Sequence, residues 1–289
     1  MSELASGKGR NDENFPVASF LIHPRHRPVV HAFYRFARSA DDIADHPTAA
    51  ADEKLHLLEE MDRTLTGELD SSPEALTLRR VLQERDLSVQ HALMLLEAFR
   101  RDVTKLRYAD WNDLMDYCRY SAMPVGRFVL DVHGEAREIW PASDALCAAL
   151  QVINHLQDCG EDYRKLNRVY IPLDHLGRAG LGVEALGDGK ASPALTRVIR
   201  ELAERTHTLL AISRPFASRI HDRRLSAEVA VIQAVAENLT KRLMCRDPLS
   251  ERVHHSKAEA TVLALGALTR WPFLRRPSAR PAAATVRGS

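Results

Sequence analysis

Two widely separated stretches put acids and amides at helical spacing, Tyr34-Arg-Phe-Ala-Arg-Ser-Ala-Asp-Asp-Ile-Ala-Asp45 and Gln151-Val-Ile-Asn-His-Leu-Gln-Asp-Cys-Gly-Glu-Asp162. Side chains four apart on a helix share a face. Asp41 and Asp45 therefore point together, and so do Asn154, Asp158 and Asp162. The flanks are apolar, with Phe33, Tyr34, Phe36 and Ile43 around the first and Leu150, Val152, Ile153 and Leu156 around the second. Carboxylates crowded among such side chains are costly without counter-charge. A hard cation with oxygen ligands supplies it, and Mg²⁺ typically keeps several waters and shares its ligands with a substrate phosphate. The chemistry expected is capture of a diphosphate through Mg²⁺ held between two opposed faces. Arg38, three residues before Asp41, and Lys165 and Arg168, beyond Asp162, would complete a cage that stabilises diphosphate as it leaves.

The elements that must position these faces all read as helices. Caps recur at Thr48, Ser72-Pro73-Glu74, Asp110, Ser143, Ser192-Pro193 and Ser226. Behind them the apolar residues fall three and four apart, as in Leu55, Leu58, Met61 and Leu65, or Leu202, Leu209 and Ile212. No Asn-Gly or Asp-Gly turn lies between alternating strands. The expectation is an all-α, single-domain helical bundle with a central cavity, over residues 14–274. Residues 1–13 read as a flexible N-terminus, and 275–289, rich in Arg, Pro and Ala with no carboxylate, as a disordered tail. Glu135 to Ser143, containing Trp140-Pro141, reads as a connection, and Ile171-Pro172 followed by Gly177, Gly180 and Gly182 as one long irregular loop.

Composition narrows the function classes. A net charge of +1 leaves no global field for nucleic acid or an anionic membrane, so phosphate affinity must be local. Cys118, Cys147, Cys159 and Cys245 form no Cys-x-x-Cys pair and read as buried free thiols. The first ten residues have no apolar signal region and no apolar run reaches transmembrane length, so the expected location is the cytoplasm. The apolar segment from Ala260 to Leu274, ending in Trp271 and Phe273 ahead of Arg275-Arg276, is open to two readings. It is either a terminal helix packed on the bundle or a peripheral contact with the inner face of the membrane. Glu204-x-x-His207 and Glu251-x-x-His254 match half of a di-iron ligand set, and a non-catalytic helical protein with solvated acidic faces is a further alternative.

Tyr34-x-x-x-Arg38-x-x-Asp41-Asp-x-x-Asp45, then Tyr117-Cys118-x-x-x-Ala122-x-x-Val125-Gly126, then Gln151-x-x-Asn154-x-x-x-Asp158-x-x-x-Asp162 and Arg168-Val-Tyr170-Ile-Pro172 together resemble the squalene/phytoene synthase family, over residues 14–245. The resemblance implies the isoprenoid synthase type of helical bundle, with two aspartate-rich motifs holding Mg²⁺ and a prenyl diphosphate. It makes Asp41, Asp45, Asn154, Asp158 and Asp162 metal-diphosphate ligands. Arg38, Gln151 and Arg168 would line the same site, and Tyr34 would face the reacting carbocation.

Departures from the family pattern choose a branch. Condensing members usually read Tyr-Cys-x-x-Val-Ala-Gly-x-Val-Gly and carry Arg-Asp in the second motif, where this chain has Ser121, Met123-Pro124 and Gln157-Asp158. The lost Arg removes a fixed cation, and Pro124 would alter the helix at a position facing the cavity. The segment Glu13-Asn-Phe-Pro-Val-Ala-Ser19 and the Leu-Gln-Asp triplet look like a hopanoid-pathway branch. There the implied substrate is presqualene diphosphate, which ionises, rearranges and is quenched by water. Ser121, Gln157 and His155 are the candidates to position that water. No nicotinamide cofactor is expected, and no Gly-x-Gly-x-x-Gly is present. Companion enzymes of the same pathway are the implied protein partners. The alternative within the family is head-to-head condensation of two farnesyl or geranylgeranyl diphosphates.

Overall fold

The computed structural model describes residues 23–274, and among them there is no strand; one isolated parallel bridge joins Arg107 and Val169. The expected all-α class is the observed one. The flexible ends read from the sequence, 1–13 and 275–289, lie outside the described residues.

Four helices, α1 (Arg27–Ala44), α2 (Ala51–Thr66), α3 (Pro73–Glu84) and α4 (Gln90–Thr104), bury one apolar cluster that includes Phe33, Phe36, Leu58, Leu65, Leu78 and Leu96. Helices α5 (Trp111–Ser121) and α6 (Met123–His133) lead to α7 (Trp140–Leu166). Behind it come α8 (Leu173–Arg178), α9 (Pro193–Ser213), α10 (Phe216–Arg219), α11 (Arg223–Leu243) and α12 (Lys257–Leu274). A second cluster joins α5 and α7 to α9 and α11 through Leu114, Leu146, Ile153, Leu156, Leu202, Leu210 and Leu239. Burial of side chains this large contributes about 1.5–3 kcal/mol each. Phe128 of α6 stacks on Phe33 at 3.8 Å between ring centroids, so α6 belongs to the first cluster as well.

Helix α7 is the spine, 27 residues or roughly 40 Å long, packed against α5, α6, α9 and α11. It starts earlier than its sequence suggests. Pro141 occupies the first turn, where its missing N–H is harmless, so Trp140-Pro141 opens the helix and Ser143 lies inside it. Ser226 is likewise internal to α11, which is capped by Asp222, and α2 begins after Ala50 with no cap from Thr48. Ser72, Asp110 and Ser192 do cap their helices. The expected irregular loop after Ile171 contains α8 and a 3₁₀ turn, Val183–Gly187. Pro124 sits in the first turn of α6 and does not line the cavity described below. Of the thiols, Cys245 is exposed, which corrects the reading of all four as buried.

The approach of α6 to α7 depends on Gly126. A Cβ there would fall 2.5 Å from both Cys147 Sγ and Ser143 Oγ, on the facing turns of α7. Gly126→Ala is therefore expected to destabilise the fold by about 1–3 kcal/mol. Urea unfolding of the variant beside the unaltered chain measures this, and equal midpoints would contradict such close packing.

Candidate active site

Between the two apolar clusters lies a cavity of about 330 Å³. Asp41 and Asp45 line it from the end of α1, and Gln151, Asn154, His155, Asp158 and Asp162 from α7. Asp102 of α4, Tyr117 and Ser121 of α5, and Arg168 and Tyr170 complete the polar lining, with Ala98, Phe99 and Leu166 beside them. The two acidic faces read from the sequence thus meet across one space.

A strap after α7 does the positioning. Asn167 takes a left-handed conformation, φ 52°, and reverses the chain at the helix end. Val169 N–H then donates to Leu106 O at 2.9 Å, and Leu173 N–H to Tyr108 O at 2.9 Å, pinning the strap to the α4–α5 connection. Just ahead of the first of these bonds Arg168 turns inward. Its guanidinium pairs with Asp45 through Nη1 and Oδ1 at 2.5 Å, and it donates to Ala44 O at 3.3 Å and to Asp102 O at 3.1 Å. Lys54 Nζ also donates to Ala44 O, at 3.0 Å. Two cations thus satisfy the carbonyl end of α1, where the helix dipole favours them.

The floor is a buried hydrogen-bonded group that the sequence reading passed over. Asp102 accepts from Tyr117 Oη at 2.9 Å and from Tyr170 Oη at 3.0 Å. Burial pushes its carboxyl up to about 6, although Arg168 and the two hydroxyls pull the other way. Both phenols are raised well above the ordinary tyrosine value, first by burial and then by Asp102, so they stay neutral. His155 stacks on Tyr170 at 3.5 Å between centroids, and Gln151 Nε2 donates to its Nε2 at 3.0 Å. Burial, with Arg168 nearby, holds His155 down to about 3, so the imidazole is neutral. Ser121 Oγ is buried and has no hydrogen-bond partner among the described residues.

Four expected residues do not line the cavity. Gln157 is buried on another face of α7 and donates to Val253 O, because about 100° per residue separates it from the Asp158 stripe. It cannot hold a water in this space. Lys165 lies in the last turn of α7, 70% exposed and paired with Glu161 at 2.5 Å, pointing to solvent. Arg38 pairs with Asp42 at 3.0 Å and Asp41 at 3.6 Å, behind the lining carboxylates. Tyr34 is half-buried on the Asp41 face, two turns or about 10 Å back along α1. The di-iron reading fails on geometry, since Glu204 is exposed beside Arg200 on α9, while Glu251 and His254 are not in a helix.

Five carboxylates and one guanidinium face the cavity among the described residues. The donors are carboxylate and amide oxygens, the set that suits a hard divalent cation such as Mg²⁺.

Known proteins resemble this chain over most of its length. The family model for squalene/phytoene synthases matches residues 9–259. The chain is 56% identical over 285 residues to the hydroxysqualene synthase of Rhodopseudomonas palustris, covering 97% of this chain and 98% of that protein. It is 57% identical over 242 residues to the hydroxysqualene synthase of Zymomonas mobilis, covering 83% and 82%. The crystal structure of a squalene synthase from Alicyclobacillus acidocaldarius superposes with a TM-score of 0.70 at 33% identity, over 80% of this chain and 88% of that one.

The desolvated Asp102 gives a testable sign. Its carboxyl moves from 3.8 to about 6 on folding, so between these values the folded chain holds a proton that the unfolded chain has released. Stability contributed at this residue is lost as pH rises through that window. Relative to the unaltered chain, Asp102→Asn should gain on the order of 3 kcal/mol between about pH 4 and pH 6. Urea unfolding at both pH values measures the difference, and a pH-independent gap would contradict a buried carboxyl.

Proposed function

The chain belongs to the squalene/phytoene synthase family, and from that premise we propose that it is a hydroxysqualene synthase, converting presqualene diphosphate and water to hydroxysqualene and diphosphate. The observation that carries this reading is the paired acidic lining of one cavity, Asp41 and Asp45 facing Asn154, Asp158 and Asp162, in a chain more than half identical to two hydroxysqualene synthases. Members of this family act on prenyl diphosphates and generally need a divalent metal. For this chain the donor set suits Mg²⁺, which those five residues would hold.

When bound, Mg²⁺ supplies Lewis-acid stabilisation of the departing diphosphate. Arg38 and Arg168 add fixed positive charge behind the carboxylates and hold them in place. The breaking bond is carbon to oxygen, and its electron pair leaves with diphosphate. Tyr117, His155 and Tyr170 line the cavity, and the π-electrons of the two tyrosines attract the cation left behind without bonding to it. The hydroxyls of Tyr117 and Tyr170 are tied to Asp102 and stay protonated, so no phenolate captures the cation. Tyr34 lies on the same face of α1 but about 10 Å back from Asp41 and outside this lining.

Water must then reach one carbon. Ser121 offers a buried hydroxyl that no other described residue engages, and the Gln151–His155 pair lies on the facing helix. These residues take over the positioning role read earlier for Gln157. The water adds its oxygen to the cation and loses a proton, completing the alcohol.

A condensing enzyme must supply the substrate, which makes a companion of that class the natural functional partner. Helix α12 packs on α11 yet leaves Val262, Leu265 and Phe273 exposed, and no helix among the described residues is long and apolar enough to cross a membrane. We read the exposed row as a peripheral contact where an apolar product leaves.

Incubation with presqualene diphosphate and Mg²⁺ in ¹⁸O-water should give hydroxysqualene carrying the label, with no nicotinamide cofactor added. Asp41→Asn and Asp158→Asn should each lower kcat/KM by about 100-fold or more, and Ser121→Ala should reduce the alcohol as a fraction of product. Conversion of farnesyl diphosphate alone to presqualene diphosphate, squalene or phytoene would overturn the reading.

A further inference from the structure

A second chemical cluster lies at the other end of α1. His26 precedes the first residue of α1, His133 ends α6, and Asp222 caps α11. One potential ligand atom from each lies within 4.8 Å of the others. The 18 residues of α1, at roughly 1.5 Å each, separate this cluster from Asp45 by about 27 Å. It therefore shares nothing with the diphosphate cavity.

One ring nitrogen of each histidine has no hydrogen-bond partner among the described residues. His26 is 5% exposed, and its Nδ1 has no hydrogen-bond partner among the described residues. His133 Nε2 is buried and equally unpartnered. The other nitrogen of His133, Nδ1, donates to Val129 O at 2.8 Å, which fixes the tautomer and leaves the Nε2 lone pair available. The two rings lie 4.3 Å apart between centroids. Asp222 uses Oδ1 to accept from Arg224 N–H and Leu225 N–H, at 2.8 and 3.0 Å, so Oδ2 is outside the cap. Buried polar atoms are seldom left unsatisfied without a reason.

We propose that His26, His133 and Asp222 form a binding site for a divalent transition-metal ion of the zinc class, with water as the fourth ligand. Two imidazoles and a carboxylate are a recurrent zinc set, whereas the carboxylate and amide oxygens of the two faces in the cavity suit Mg²⁺. Burial and the nearby His133, Arg25 and Arg85 hold His26 down to about 4, so its ring is unprotonated at neutral pH, as a ligand must be. Arg25 opposes the ion, since its Nε donates to His26 Nε2 at 2.8 Å. Nδ1 can ligate only when Nε2 carries the proton, so the exposed Arg25 side chain turns aside on binding. The ion joins the start of α1, in the first apolar cluster, to the start of α11, in the second.

The test uses the full-length chain without a purification tag, titrated with Co²⁺ and with Zn²⁺ in excess Mg²⁺. One Co²⁺ per chain should bind with the intense visible absorption of a four-coordinate site, and Asp41→Asn/Asp158→Asn should keep that absorption. His133→Gln and Asp222→Asn, the latter retaining a cap oxygen, should weaken binding by more than the roughly 10–100-fold that loss of a second-shell partner costs. Arg25→Ala should tighten it. Absence of four-coordinate Co²⁺ in the unaltered chain overturns the proposal, and so does unchanged affinity in both folded ligand variants.

Discussion

Arg168 is the contact on which the rest of the molecule depends. Among the described residues it is the one guanidinium beside five carboxylates lining the cavity, and it reaches the end of α1, the last turn of α4 and the strap after α7 at once. The pair with Asp45 is nearly dry, with side chains 8% and 14% exposed. Removing one partner of such a pair costs about 3–5 kcal/mol, because the other charge is left buried alone. A single side chain thus fixes where one acidic helix end sits relative to the other acidic helix.

The remaining negative charge is what makes the cavity a site. A fold selected for stability alone would not gather Asp41, Asp45, Asp102, Asp158 and Asp162 around one space. A divalent cation arriving with its diphosphate would make their charge tolerable, and under the proposed function that would couple substrate capture to relief of repulsion. The neutral groups follow from the same burial. Tyr117, Tyr170 and His155 are so far from water that none readily takes on a charge. A cavity that must hold a carbocation without being alkylated needs that restraint.

Much of this was legible in the sequence where periodicity carries the signal. The stripes on α1 and α7 could be read because acids four apart can only share a face. Gln157 was misplaced because adjacency to Asp158 in the chain is not adjacency on the helix. Lys165 was misplaced because a long side chain in a final turn finds the nearest exposed acid, Glu161, before it finds a cavity. Asp102 was missed although a cue existed, an acid set three residues from Phe99 and seven from Leu95 on the buried side of α4. The caps at Ser143 and Ser226 failed because proline in a first turn, or an acid one turn earlier, starts a helix equally well, and α2 starts past Thr48 with Asp52 and Glu53 in its first turn. The meeting of His26, His133 and Asp222 could not be seen at all, since three helix ends far apart in the chain create it.

The central claim is that the two acidic faces hold one metal-diphosphate complex between them. Crystals soaked with Mn²⁺ and inorganic pyrophosphate test it most directly through anomalous scattering. The account predicts Mn²⁺ peaks bridging pyrophosphate to Asp41 and Asp45 on one side and to Asn154, Asp158 and Asp162 on the other. Pyrophosphate bound with no metal at those side chains, or Mn²⁺ bound only elsewhere, would contradict it.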